Sequence, residues 1–349
     1  MLCKIAFSLG LLMPLAGMAQ VRVNDLVFPA GTKHADDYHV PVVSGVAPEV
    51  AAKINLYIQY SLLDLVPGHY RQPLISDDEA SSGTTALSYT VTRADSQVLT
   101  IDVFGEYMGA HPSTGQTWMS FDVHDGYVIE VADVLTPTGV AQAQSETNKA
   151  LIGQIKKAVA HPDPIRLAPG SEDDLKTQRD FYAKCRSDIP TNNWNTTFRI
   201  ESTLVVSRGC AFPHMVQALD DVGDVEWKAS YASLDRYLTT YGRCLLLDRG
   251  DDCRRTTVTP TRGVWHGSIG KAAAITFVGA ETGPVYFYDR IGTAIPLVTV
   301  KAESAHWVLA RMDGEGKPQE TFDLAPSEGG GFSGIWKQRG KAGIAVVLR

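Results

Sequence analysis

Two runs decide the fold of this chain, Ala86-Leu87-Ser88-Tyr89-Thr90-Val91-Thr92-Arg93 and Val98-Leu99-Thr100-Ile101-Asp102-Val103-Phe104-Gly105-Glu106-Tyr107-Met108. Leu87, Tyr89 and Val91 alternate with polar residues, as Leu99, Ile101 and Val103 do, and a period of two puts each apolar row on one face of a strand. The link Ala94-Asp95-Ser96-Gln97 then predicts an antiparallel hairpin. Immediately downstream, Gly109-Ala110-His111-Pro112-Ser113-Thr114-Gly115 reads as a tight turn. Gly109 relaxes the backbone there, and Pro112 pushes His111 toward extended dihedrals. Another strand pair, over 117–124 and 127–131, is predicted across the hairpin dipeptide Asp125-Gly126.

Outward from this hairpin, extended chain is expected up to residue 43. A helix follows over 48–66, where Pro48 suits a first turn and Val50, Ile54, Tyr57, Ile58, Leu62 and Leu65 recur at helical spacing. Further helices are predicted over 138–160, capped by Thr138, and over 172–185. Strands are expected near 198–207 and 214–218, and helical turns over 231–241. Beyond residue 262 the texture changes to short strands between glycines, over 263–267, 273–278, 285–288, 295–300, 307–312, 332–336 and 344–348. The fold class is therefore α+β, an antiparallel sheet with packed helices followed by a small all-β barrel or sandwich. Trp265 and Trp336, each near glycines, fit sheet corners with core aromatics better than a ligand platform. Expected segments are 1–19, 20–105, 106–242, a linker over 243–262, and 263–349.

Residues 1–19 have the shape of an export signal. Lys4 precedes the apolar run from Ile5 to Leu15, and Gly17 and Ala19 fit cleavage after Ala19. A periplasmic or secreted location is expected, and no later stretch is apolar enough for a transmembrane helix. Cys3 lies in the removed segment, leaving Cys185, Cys210, Cys244 and Cys253. An even count in an exported chain reads as two disulfides. Four thiols allow three connectivities, of which Cys185 with Cys210 and Cys244 with Cys253 is the expected one. Their spacing does not suit zinc.

The 349 residues are 44% hydrophobic and 20% charged, enough to bury a real core. A net charge of −7 gives no basic footprint for nucleic acid. The same charge suits a basic partner or ordinary solubility.

Gly109-Ala110-His111-Pro112, followed by Phe121-Asp122, Asp125-Gly126 and Val131-Ala132-Asp133-Val134-Leu135, resembles the Gly-Ala-His signature of an extracellular domain family of unknown function. That family occurs in the ectodomain of the lysozyme-sensing anti-sigma factor RsiV and beside the catalytic domain of the peptidoglycan deacetylase PdaC. Tyr231 to Gly242, after Gly223 and Val225, is similar to its closing tyrosine, glycine and short helix. Tyr38 to Val43 with Ile54-Asn55 resembles the partner domain that precedes it. The likeness covers residues 23–242, and Met108 stands where most members carry a glycine. The last hundred or so residues resemble a glycine- and tryptophan-rich β module of secreted bacterial proteins. What the resemblance implies is a binding role toward a lysozyme-like protein or peptidoglycan, with Gly109, Ala110, His111, Pro112 and Asp122 as candidate binding residues.

The residues themselves leave several chemistries open. His111 on a rigid turn near Asp122 is able to titrate, bind a metal or donate to a partner. The plainer reading hydrogen-bonds it to backbone as scaffolding. Glu106 and Asp122 form a candidate carboxylate pair around it. His214, after Cys210-Ala211-Phe212-Pro213, is either a second candidate or a strand residue. Asp220, Asp221, Asp224 and Glu226 read as a solvated loop or a dock for a cationic protein. No nucleophile elbow, His-Glu-x-x-His pair or phosphate loop is present in the sequence. Thr321-Phe322-Asp323-Leu324 has only a chance likeness to a deacetylase motif. The expectation is a non-catalytic binding protein without cofactor or metal. A lysozyme inhibitor or immunity protein, and a peptidoglycan hydrolase using His111, are the alternatives.

Overall fold

The structure is a computed structural model and describes residues 21–28, 38–70, 83–109, 112–189, 196–250, 252–255, 258–280, 282–303, 305–328 and 330–349. The expected signal segment lies outside them, as do Ala110 and His111.

A five-stranded sheet runs in the order β1 (Arg22–Phe28), β2 (Tyr38–Ser44), β3 (Thr84–Ala94), β4 (Val98–Met108) and β5 (Pro112–Asp122). The decisive hairpin forms as expected. Val91 pairs with Ile101 and Tyr89 with Val103 across β3 and β4, and Asp95 turns the link by accepting from the backbone of Gln97 and Val98. Apolar alternation drives this pairing, because Leu99, Ile101 and Val103 are each at most 2% exposed. Helix α1 (Pro48–Leu63) ends three residues earlier than expected, where Asp64 adopts a left-handed φ of 52°. It is buried on more than one face, Ile54 and Ile58 as well as Leu56 and Tyr60. A helix apolar on several sides lies between layers, and α1 packs between the sheet and the C-terminal strands.

Helix α2 (Pro137–Ala160) begins at Thr136, whose hydroxyl accepts from Gly139 N, rather than at Thr138. Pro137 has no N–H to be capped and takes the first helical position, which leaves the cap to its predecessor. Helix α3 (Glu172–Asp188) carries Cys185, bridged to Cys210, and Cys244 is bridged to Cys253, the two pairs expected. A three-stranded sheet of β6 (Thr196–Ile200), β7 (Leu204–Arg208) and β8 (Val225–Ala229) completes this part.

Two expected strands are absent. Residues 127–131 make only one bridge, Val128 with Phe121, and then turn into a helical turn at Val131–Val134. The Asp133 carboxylate accepts from Glu130 N and closes a capping box, which outcompetes further pairing. His214–Leu219 is a 3-10 helix, not a strand. Pro213 fixes φ at its start and Val216 N bonds back to Pro213 O, so a five-residue alternation was too short to specify a strand.

From Gly263 the chain builds a nine-stranded, nearly closed antiparallel sheet. Its strands are β9 (Gly263–Ile269), β10 (Ala273–Ala280), β11 (Gly283–Tyr288), β12 (Ile295–Pro296), β13 (Val298–Glu303), β14 (His306–Met312), β15 (Pro318–Pro326), β16 (Phe332–Gln338) and β17 (Ile344–Leu348). Its first and last strands pair in the middle of the sheet, β17 with β9, which leaves β12 and β13 as the two facing edges. Thr321-Phe322-Asp323-Leu324 is the middle of β15, with Phe322 and Leu324 fully buried and Asp323 turned out to His306. Trp265 and Trp336 lie in the barrel core.

Candidate functional site

Strands β4 and β5 are two arms of one hairpin whose last described pair is Met108 with Pro112. Gly109 and Pro112 are exposed at its tip. Below the tip, the Tyr107 ring folds over the cross-strand glycines 105 and 115. A Cβ on Gly105 would sit 2.5 Å from Tyr107 Oη, and one on Gly115 3.0 Å from its Cε2. Asp122 stands at the opposite end of β5, about 33 Å from Pro112 at the usual strand rise. Glu106, opposite Thr114, is near the tip as well. The residues expected to act together around the turn are therefore divided between two places.

Around Asp122 the structure assembles partners that sequence reading did not find. The carboxylate is 2% exposed. It accepts from Tyr241 Oη at 2.8 Å, from the backbone of His124 at 3.0 Å, and pairs with His124 Nδ1 at 2.8 Å. Arg255 reaches it at 3.4 Å and forms an ion pair with Asp125. Burial pushes the Asp122 carboxyl up, but the hydrogen bonds from the His124 ring and backbone and from Tyr241 outweigh it and hold the group below its ordinary range. Burial and the adjoining Asp122 push the Tyr241 phenol up. Arg255 also lies 4.0 Å over the Tyr127 ring, and Arg262 lies 4.9 Å over the same ring. Arg262 donates to Tyr127 Oη and Asp133, and Tyr127 meets Trp265 of the barrel edge-on at 6.0 Å. The node thus ties β5, the segment 243–262 and the barrel into one polar core. Two arginines in a stretch of turn formers were its sequence signal.

The other feature of β5 is its open side. Ile129 N donates to Ser120 O and Asp122 N donates to Tyr127 O, which identifies the outward-facing backbone groups of this strand. With a two-residue period, the N–H and C=O groups of Trp118, Gln116 and Thr114 face the same way. Apart from the Phe121–Val128 bridge at its far end, β5 pairs with β4 alone and stands at the sheet's edge, so among the described residues the groups of Trp118, Gln116 and Thr114 have no backbone partner.

Beside that edge is a cleft of about 460 Å³, lined by Tyr57, Tyr107, Trp118 and Phe198 together with Ser61 and Glu130. Ser61 Oγ is buried and has no hydrogen-bond partner among the described residues. The cleft lies where a strand continuing the line of residues 127–129 would run, because the chain leaves that line at Glu130. Tyr and Trp rings with a few polar groups make a wall suited to holding a ligand.

Trp118 also borders a smaller recess of about 290 Å³, with Asp102, Gln116, Arg199, Glu201, Asp224 and Glu226. The Arg199 guanidinium sits 4.9 Å over the Trp118 ring and pairs with Glu201 and Glu226. Asp102 Oδ1 is buried there with no hydrogen-bond partner among the described residues. Burial, with Asp220 and Glu226 nearby, pushes the Asp224 carboxyl up against the pull of Arg199. Asp220 and the exposed Asp221 are tied down by hydrogen bonds as well as solvated. Asp220 accepts from Tyr182 Oη and from the backbone of Val222 and Gly223, while Asp221 is held by Arg166 and Gln178. They brace α3, and only Asp224 and Glu226 of that run face the recess.

His214 is exposed on its 3-10 helix, remote in the chain from either arm of the hairpin. No group of three or more His, Cys, Asp or Glu side chains able to hold a metal occurs among the described residues, and none of the described helices is long and apolar enough to cross a membrane. No protein-family model matches the chain, and no curated protein does. Among solved structures it is similar to a DUF3298 family protein from Pseudomonas aeruginosa PAO1, at 15% identity and a TM-score of 0.37, over 64% of this chain and 97% of that one. It is similar also to a member of the same family from Bacteroides fragilis, at 15% identity and a TM-score of 0.36, over 63% of this chain and 94% of that one.

Proposed function

We propose that this chain is an exported, non-catalytic envelope protein that binds a protein or cell-wall ligand, and that it takes an extended segment of that ligand along the free edge of β5. The observation that carries this reading is the coincidence of unpaired edge groups at Thr114, Gln116 and Trp118 with an aromatic cleft in line with them. An extended chain entering there gains main-chain hydrogen bonds from the edge and places alternate side chains into the cleft. Two disulfides suit an oxidising compartment outside the cytoplasm. The Gly-Ala-His likeness supports an envelope role of the RsiV and PdaC type, in which Gly109 and Pro112 at the exposed tip lie toward the bound segment and Asp122 holds the far end of β5 in place.

A second reading, an inhibitor or immunity protein for a lysozyme-type enzyme, is favoured by the acidic recess under Trp118. Its carboxylates Asp102, Glu201, Asp224 and Glu226 face one arginine, so a basic partner complements it.

Retention of hen-type lysozyme and of purified sacculi on immobilised protein tests both readings, using Gln116→Pro and Gln116→Val. Both substitutions lose the Gln116 side-chain bond to Asp102, but only proline removes the outward N–H. Ligand retained by the valine variant and lost by the proline variant is the expected result, with salt-sensitive lysozyme retention marking the inhibitor. Equal retention by both variants, or no retention of either ligand by the native chain, overturns the edge reading.

A further inference from the structure

A third cavity, of about 550 Å³, lies between α1, the β1–β2 strands and the outer face of the barrel. Leu26, Val42, Leu56, Val66, Pro67 and Phe287 give it an apolar wall. Its roof, the segment after α1, is seated on the barrel, since a Cβ on Gly292 (φ 69°) would fall 2.1 Å from the His69 ring. The polar end is one cross-strand row. Thr276 of β10 stands opposite His266 of β9 and Phe287 of β11, with Asp289 just beyond β11.

The hydrogen bonds in that row fix a tautomer. Thr276 Oγ1 lies 2.8 Å from Asp289 Oδ1 and 2.9 Å from His266 Nδ1. A carboxylate only accepts, so the single hydroxyl proton of Thr276 goes to Asp289. Thr276 must then accept from His266, which puts the ring proton on Nδ1 and leaves Nε2 as a bare lone pair. Nε2 has no partner among the described residues, and His266, its backbone-side nitrogen packed on Thr276 and the rest of the ring partly open to water, lines the cavity. Thr276, by contrast, is 2% exposed, so the relay that orients the ring is shielded from water. Burial and the nearby Lys53 hold the imidazole below its ordinary value against Asp289, which favours the neutral ring.

We infer that this cavity is a binding site for a small uncharged molecule with an apolar body and one hydroxyl head, an alcohol or phenol that donates to His266 Nε2. A carboxylate has no proton to give and would face Asp289. A hydrocarbon has no proton to give and would leave that lone pair without a bond from the ligand. The site shares no residue with the β5 edge and does not depend on that reading.

Titration of the full chain with 4-propylphenol and with propylbenzene, followed by calorimetry and by 15N NMR of the histidine ring, tests the assignment. The phenol is expected to bind saturably, about five- to tenfold more tightly than propylbenzene, the difference one hydrogen bond makes. His266→Phe should remove that preference, and Leu56→Trp should close the cavity to both. Thr276→Val, similar in shape, should release the tautomer and weaken the preference without emptying the site, which guards against a His266 variant that fails to fold. Equal affinity for the two probes, or phenol binding unchanged by Leu56→Trp, overturns the proposal.

Discussion

At its C-terminal end β5 carries Asp122, which is 2% exposed and surrounded by His124, Tyr241 and Arg255. Four residues earlier the same strand presents Trp118, its outward N–H and C=O without a backbone partner among the described residues and its ring between two cavities. Buried ionised groups are costly unless their hydrogen bonds are complete, so a saturated cluster is architecture. Edge groups left unpaired beside a cleft keep their hydrogen-bonding capacity for something else. One strand thus serves both scaffold and surface, and the pattern of satisfied groups tells them apart.

The largest test of the scaffold end is to remove the barrel. Its Val264, Val278, Ala280, Val285 and Phe287 belong to the same apolar cluster as Ile54, Ile58, Ile101 and Phe121. At about 1.5–3 kcal/mol for each fully buried large side chain, losing that wall consumes most of the roughly 5–15 kcal/mol that holds a domain together. Chain ending at residue 262 is therefore expected to be insoluble or molten by near-ultraviolet circular dichroism. A cooperative unfolding transition in that fragment would show that the node and its sheet stand without the barrel, as a boundary within 243–262 requires. Next in size is Arg255→Leu, which leaves Asp122 and Asp125 without their shared cation and should cost about 3–5 kcal/mol in urea unfolding. A loss under 1 kcal/mol would mean the node is solvated rather than closed.

The hairpin that organises this comparison was legible because Leu99, Ile101 and Val103 alternate without interruption and one face is buried. Both disulfides were legible for the same local reason, each joining segments that chain direction already brings together. The node was not. Asp122, Tyr241 and Arg255 are separated by more than a hundred residues at the widest, and nothing periodic announces a hydrogen bond between them. The strand β15 was missed because Glu320, a charged residue, occupies the buried row that Phe322 and Leu324 continue into the barrel. The open edge is a property of what does not pair, which a single sequence cannot display.

Tyr241→Phe probes the node more finely. It removes one hydrogen bond to a buried carboxylate and should cost about 1.5–3 kcal/mol at neutral pH. The pH dependence has a definite sign. The folded Asp122 carboxyl lies below its ordinary value of 3.8, so the unfolded chain binds the proton first. Its stabilising contribution is complete above 3.8 and is lost as pH falls below that through the folded value. With Tyr241→Phe one of the bonds that depress the group is gone, so acid unfolding followed by fluorescence should show a shallower loss over that window. An unchanged acid slope would assign the depression to His124 and its backbone alone.

Smallest in stability, and sharpest for the comparison, is Gln116→Pro set against Gln116→Val. The outward N–H makes no ladder bond to β4, so proline deletes nothing that holds the sheet. Both variants lose the exposed Gln116–Asp102 hydrogen bond equally. Their midpoints in urea are expected to differ by less than about 1 kcal/mol, the usual range for a surface change. A proline variant several kcal/mol less stable than the valine variant would mean that Gln116 N already has a partner within the folded chain. The edge would then belong to the scaffold, and the distinction between the two ends of β5 would disappear.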